Sequence, residues 1–140
     1  MRPADDDATR RSLELENQCA DAVAHKGYQV HQNPTQEEIA GARRTTGDSG
    51  DPKTLPDYLI EGYVFDCYSP TPPASPRAIG SAVLKKVTSS QSQRVVINLH
   101  DWRGELKALQ QQFDDWPVPD LKELVAVTRD GRIVQIVRRD

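Results

Sequence analysis

Over residues 11–26 apolar side chains recur at helical spacing, with Leu13, Ala20, Val23 and Ala24 forming one stripe and Gly27 placed as a C-terminal cap. Residues 28–32 alternate as a short strand does, and 36–43 add a helical turn. The Thr-, Gly- and Asp-rich stretch 45–52 predicts a flexible loop. Two short apolar runs around Glu61-Gly62 predict a hairpin over 57–69, and the prolines of 70–76 interrupt regular structure. A helix follows over 77–89, with Ile79, Val83, Leu84 and Val87 as its buried arc. Next come a strand over 94–99 and a helix over 104–113, ended by Trp116-Pro117. Apolar runs at 121–128 and 132–138 flank Arg129-Asp130-Gly131, a hairpin signal. The order is helix, strand, hairpin, helix, strand, helix, hairpin. It predicts an α/β fold in which helices flank a mixed β-sheet.

At 140 residues this is a single domain over 11–140, preceded by a polar, frayed start at 1–10 that carries an Asp5-Asp6-Asp7 run. No apolar run approaches the ~20 residues of a membrane helix, and no signal-like stretch follows the start. Any export address is therefore expected on a longer parent protein. The net charge of −3 counts against binding nucleic acid through bulk electrostatics. Such binding requires local clusters, for which Arg43, Arg44, Lys85, Lys86, Arg94, Arg138 and Arg139 are available. Cys19 and Cys67 lack metal-ligand spacing and read as two reduced thiols at or near the core, with a disulfide as the alternative.

Candidate chemistry concentrates on the hairpin. Asp57 and Asp66 stand nine residues apart, across the predicted turn from each other, in strand positions that disfavour aspartate. Two carboxylates so placed can share a divalent cation such as Mg²⁺ or Mn²⁺ through hard oxygen ligands. Alone, Asp57 also suits a strand start after Pro56. Glu16 lies within the apolar stripe of the first helix, where a carboxylate needs a partner, a metal or a route to water. Lys86 borders the buried arc of the 77–89 helix and could stabilise charge building on a phosphate, whereas Lys85 points further away; both also fit an ordinary solvated surface. Tyr68 and Gln91 could border such a site, and Arg94 and Asn98 could meet phosphate or merely flank a buried strand. His25, His31 and His100 show no metal-binding spacing, and no phosphate loop or nucleophile elbow is present.

The segments Glu16-Asn17, Gly27-Tyr28-x-Val30-x-Gln32-Asn33-Pro34 and Pro56-Asp57-Tyr58-Leu59-Ile60-Glu61-Gly62 resemble the C-terminal toxin domains of contact-dependent growth inhibition proteins. Phe65-Asp66-Cys67-Tyr68-Ser69-Pro70-Thr71, Lys86-Val87-x-x-x-Gln91, Arg94-Val95-Val96-Ile97-Asn98-Leu99 and Leu121-Lys122-Glu123-Leu124 continue the likeness across most of the chain. The resemblance implies a PD-(D/E)xK (restriction-endonuclease-like) nuclease core that cuts transfer RNA. Its acidic cluster would be Glu16, Asp57 and Asp66, and its lysine Lys86. The usual motif places lysine two residues after the second acid, a position held here by Tyr68; the implied lysine has moved to the following helix. The resemblance also implies a cognate immunity protein, secretion within a larger effector, and action in the cytoplasm of a target bacterium.

The expected function is metal-dependent hydrolysis of RNA, with Asp57 and Asp66 as metal ligands, Glu16 as a further ligand or base, and Lys86 stabilising charge. Lys85, Tyr68, Gln91 and Arg94 are expected to contact substrate. Two rivals make different predictions. A metal-independent ribonuclease would cleave in EDTA, and a non-catalytic binding module would use the aspartates structurally.

Overall fold

A computed structural model describes residues 3–89 and 91–139. Among these, the elements in chain order are α1 (Pro3–His25), β1 (Val30–Gln32), α2 (Gln36–Thr46), β2 (Tyr58–Ile60), β3 (Tyr63–Tyr68), α3 (Pro76–Thr88), β4 (Arg94–Asn98), α4 (Leu106–Asp115), β5 (Glu123–Val127) and β6 (Ile133–Arg138). The six strands form one sheet in sequence order. β3, β4 and β5 run parallel, joined by α3 and α4 as crossovers, and the outer pairings are antiparallel. The mixed α/β architecture expected from the pattern is the one observed.

Alternation along the central strand sorts the core into two layers. Val95 and Ile97 face α3 and α4, where they meet Ile79, Val83, Leu109 and Phe113. Val96 points the other way, into a cluster with Cys19, Ala20 and Val23 of α1, Tyr58 and Phe65. All five residues of β4 are buried, as its unbroken Val-Val-Ile run requires of a strand covered on both faces.

Several local expectations are corrected. The buried stripe of α1 is Leu15, Cys19, Ala20 and Val23, while Leu13 is 53% exposed and Ala24 also faces solvent. Leu15, Cys19 and Val23 stand four apart, and cysteine behaves here as a small hydrophobe. On α3, Leu84 is largely exposed and Gly80 is buried in its place. A Cβ on Gly80 would stand 3.3 Å from the Gln112 amide, a tight contact with a side chain of α4. Helix α1 begins at Pro3, a residue the first helical turn accepts, so 3–10 are helical; Met1 and Arg2 lie outside the described residues.

The 45–52 segment is tied down rather than free. α2 starts with a Thr35–Glu38 capping box and ends on Gly47 at φ +79°. The next residue, Asp48, is buried and accepts from Arg94 Nε at 2.8 Å and Lys122 Nζ at 2.9 Å. Burial raises the Asp48 carboxyl, but the hydrogen bonds from Arg94 and Lys122 outweigh it and leave it below its usual value.

Candidate active site

The turn at Glu61-Gly62 sets the geometry. Both residues have positive φ (52° and 81°), the signature of a two-residue hairpin turn whose twist suits the flanking strands. The side chain and backbone of Glu61 bond back to Gln29, which anchors the turn to the start of β1. With Ile60 opposite Tyr63 and Tyr58 opposite Phe65, the register brings Asp57 level with Asp66.

The two carboxylates interlock. The Asp57 backbone N–H donates to Asp66 Oδ1 at 3.3 Å, and the Cys67 N–H donates to Asp57 Oδ2 at 2.8 Å. Lys86 reaches down from α3 and donates from Nζ to Asp66 Oδ2 at 3.2 Å. Asp66 is only 5% exposed, and its two partners, Asp57 and Lys86, line a cleft of about 650 Å³ together with Glu16, Cys67, Tyr68 and others. Glu16, Asp57, Asp66 and Lys86, widely spaced in the chain, thus converge.

The electrostatics follow from this crowding. Burial first, then the hydrogen bond and charge of Asp66, push the Asp57 carboxyl up to about 8; the Cys67 N–H opposes the rise and the Glu16 charge adds to it. Burial, aided by the charge of Asp66, also raises Glu16, against a lowering contact from Gln32. Among the described residues, no group of three or more His, Cys, Asp or Glu is arranged to hold a metal ion. What the cleft offers is a two-carboxylate pair of hard oxygens, with Glu16 electrostatically coupled to it.

The other sequence candidates separate. Tyr68 lines the cleft. Lys85 does not, because one step along the helix turns it to solvent. Gln91 is also absent from the lining; its backbone carbonyl accepts from Arg43 at 3.0 Å. Arg94 is corrected outright. Its side chain is 4% exposed, pairs with Asp48 and with Glu123 at 2.6 Å, and stacks 4.2 Å from the centroid of the Tyr63 ring. It is a structural cation, held away from the cleft by its partners.

Pattern reading overlooked two groups. Arg11 and Asp101 face each other on the cleft rim in a two-point pair, Nε–Oδ2 at 3.2 Å and a shorter contact at Oδ1, with His100 Nδ1 3.1 Å from the same Oδ1. Their separation of ninety residues leaves no local signal. Cys67, half-buried in the cleft wall, is in contact with Cys19 behind it; that hydrogen bond and burial hold the Cys19 thiol protonated. Both cysteines are free.

Fold and cleft together define the class: a mixed α/β domain that gathers paired acids, a glutamate and a lysine in and around one cleft. The family model of the contact-dependent growth inhibition CdiA C-terminal domain matches residues 53–133, and the chain belongs to that family. It is 37% identical to the tRNA nuclease CdiA-2 of Burkholderia pseudomallei (strain 1026b) over 134 residues, which cover 96% of this chain and 4% of that much longer protein. Its fold is similar to a chain of the CdiA-CT/CdiI toxin and immunity complex from Burkholderia pseudomallei, with a TM-score of 0.76 and 34% identity over 96% of this chain and 91% of that one.

Proposed function

We propose that this domain is a metal-dependent ribonuclease toxin of the PD-(D/E)xK type that hydrolyses phosphodiester bonds in transfer RNA. The observation that carries this reading is the convergence of Glu16, Asp57 and Lys86 on one cleft, with Lys86 bonded to the buried Asp66 although it comes from the following helix rather than the usual strand position. The similarity to a protein named as a tRNA nuclease supports the substrate class.

The donor set fits Mg²⁺ or Mn²⁺, which are bound through one or two carboxylates and complete their shells with water and substrate phosphate. Burial, and then the neighbouring Asp66 and Glu16 charges, raise the Asp57 carboxyl, and a cation held there would offset that crowding of acids. Asp57 and Asp66 would hold the ion, which would supply Lewis acidity for activating water and stabilising the departing oxygen. Glu16, its carboxyl made more basic by burial and the charge of Asp66, is suited to take the proton from the attacking water. Lys86 holds Asp66 in place and offsets negative charge at the reacting phosphate. Arg11, on the rim, faces the polynucleotide as it enters. The carboxylates of the cleft outnumber its cations, so at an overall charge of −3 attraction for RNA would depend on a bound cation acting together with Arg11 and Lys86.

The match to a toxin–immunity complex supports a cognate immunity protein as partner. Membership of the CdiA C-terminal family supports delivery within a larger effector and action in the cytoplasm of a target cell. Among the described residues no helix is long and apolar enough to cross a membrane.

The test is incubation of the purified protein with total bacterial RNA in Mg²⁺, in Mn²⁺ and in EDTA, beside a folded Asp66→Ala variant. Discrete tRNA fragments that require metal and vanish in the variant are expected. Cleavage persisting in EDTA would transfer the assignment to a metal-independent ribonuclease. Absence of cleavage by folded protein would leave a binding module.

A further inference from the structure

Two polar side chains are buried in the core where apolar ones would pack as well. Tyr58 is fully buried, and its hydroxyl donates to the backbone carbonyl of Glu16 at 2.5 Å. Asn98 is 2% exposed at the end of β4, after the apolar Val95-Val96-Ile97 run, and its Nδ2 donates to the carbonyl of Leu15 at 3.0 Å. The His100 N–H donates to Asn98 Oδ1 at 3.1 Å, which fixes the end of the amide that faces the helix. Burying a hydroxyl and an amide is costly unless each gains a specific bond.

The bonds they gain are unusual in their target. Leu15 and Glu16 lie in the middle of α1, where each carbonyl already has an acceptor role four residues along the helix. The helix does not need the extra donors. They matter for its placement on the sheet. Packing of Cys19, Ala20 and Val23 on the sheet is non-directional and tolerates small sliding, whereas two hydrogen bonds from different strands to consecutive carbonyls pin the helix along its axis. The pinned turn is the one that bears Glu16. Tyr58 also directly follows Asp57 and lies opposite Phe65, the neighbour of Asp66. The acids of the hairpin and the acid of the helix are thereby tied to a single scaffold.

We infer that Tyr58 and Asn98 are positioning residues that hold Glu16 in register with Asp57 and Asp66. The inference rests on the role proposed above for Glu16. Tyr58→Phe keeps the ring and its packing and removes only the donor. It should lower kcat by roughly tenfold to a hundredfold, as an ångström-scale displacement does, with KM nearly unchanged. Asn98→Leu should act in the same direction.

The decisive experiment is a cycle of Tyr58→Phe and Glu16→Gln. If Tyr58 works through Glu16, Tyr58→Phe adds no further loss once Glu16→Gln is present. An equal fractional loss in both backgrounds would overturn the inference, as would Tyr58→Phe at full kcat. Wild-type activity in Glu16→Gln beside an inactive Asp66→Ala would remove the role of Glu16, and this inference with it, while leaving the nuclease reading intact. A crystal structure of Tyr58→Phe reads the same geometry without any activity: α1 should shift along its axis and carry Glu16 away from Asp57, and an unchanged Glu16 position would refute positioning.

Discussion

Asp57→Asn should stabilise the metal-free protein while ending its activity. The Asp57 carboxyl, pushed up to about 8 by burial and then by Asp66, has an ordinary value of 3.8. A folded state that binds a proton more tightly than the unfolded chain gains stability at low pH. That gain is complete below about pH 4 and is lost as pH rises to about 8. A single group can contribute at most about 1.4 kcal/mol per pH unit over that window. Relaxation, and the sharing of charge with Asp66 and Glu16, reduce the effect, so the expected gain from Asp57→Asn at neutral pH is about 2 kcal/mol. Asparagine keeps an oxygen for the Cys67 N–H and presents an amide donor to Asp66, so the interlocked geometry is retained. For a chain of this length the gain corresponds to a rise in Tm of roughly 4–8 °C. Urea and thermal unfolding in EDTA from about pH 5 to about pH 8 would measure it, and the gap between variant and wild type should widen with pH. A gap that stays constant, or a variant less stable than wild type at the alkaline end, would refute the reasoning.

Lys86→Gln should strand the nearly buried Asp66 and cost about 1–3 kcal/mol in chemical denaturation, with cleavage falling by roughly a hundredfold or more in a single-turnover assay. Arg94→Ala should destabilise by about 3–5 kcal/mol, because it leaves Asp48 and Glu123 without their guanidinium; activity per folded molecule should stay near wild type when unfolding and cleavage are measured together. Arg11→Ala should raise KM with little change in kcat and reduce the log–log salt slope of RNA binding by about one, whereas Asp101→Ala should lower KM by releasing Arg11 from its two-point pair and leaving it the exposed Glu14 contact. Filter binding across a salt series checks both.

Much of the site was legible in the chain because a hairpin is a local object. Glu61-Gly62 dictates the turn, the turn dictates the register, and the register sets Asp57 against Asp66. The order of elements was equally readable, since it depends on apolar period and on breakers such as the prolines of 70–76. Which residues of a helix are buried was less so. Leu13 and Leu84 satisfy helical spacing as well as Leu15 and Gly80 do, and only the position of the neighbouring element chooses between them.

Long-range pairing lay outside any pattern. Arg94 in a strand and Asp48 in a polar loop look like a phosphate contact and a flexible residue until folding buries them against each other. The rim pair of Arg11 and Asp101, and the bonds from Tyr58 and Asn98 to α1, have no local correlate at all. The sequence by itself determined the elements, the hairpin and the chemical types available, because each rests on interactions between near neighbours. The tertiary structure decided which charges face the cleft and which hold the fold together. That choice depends on which groups, far apart in the chain, are desolvated side by side, where burial makes their pairing obligatory.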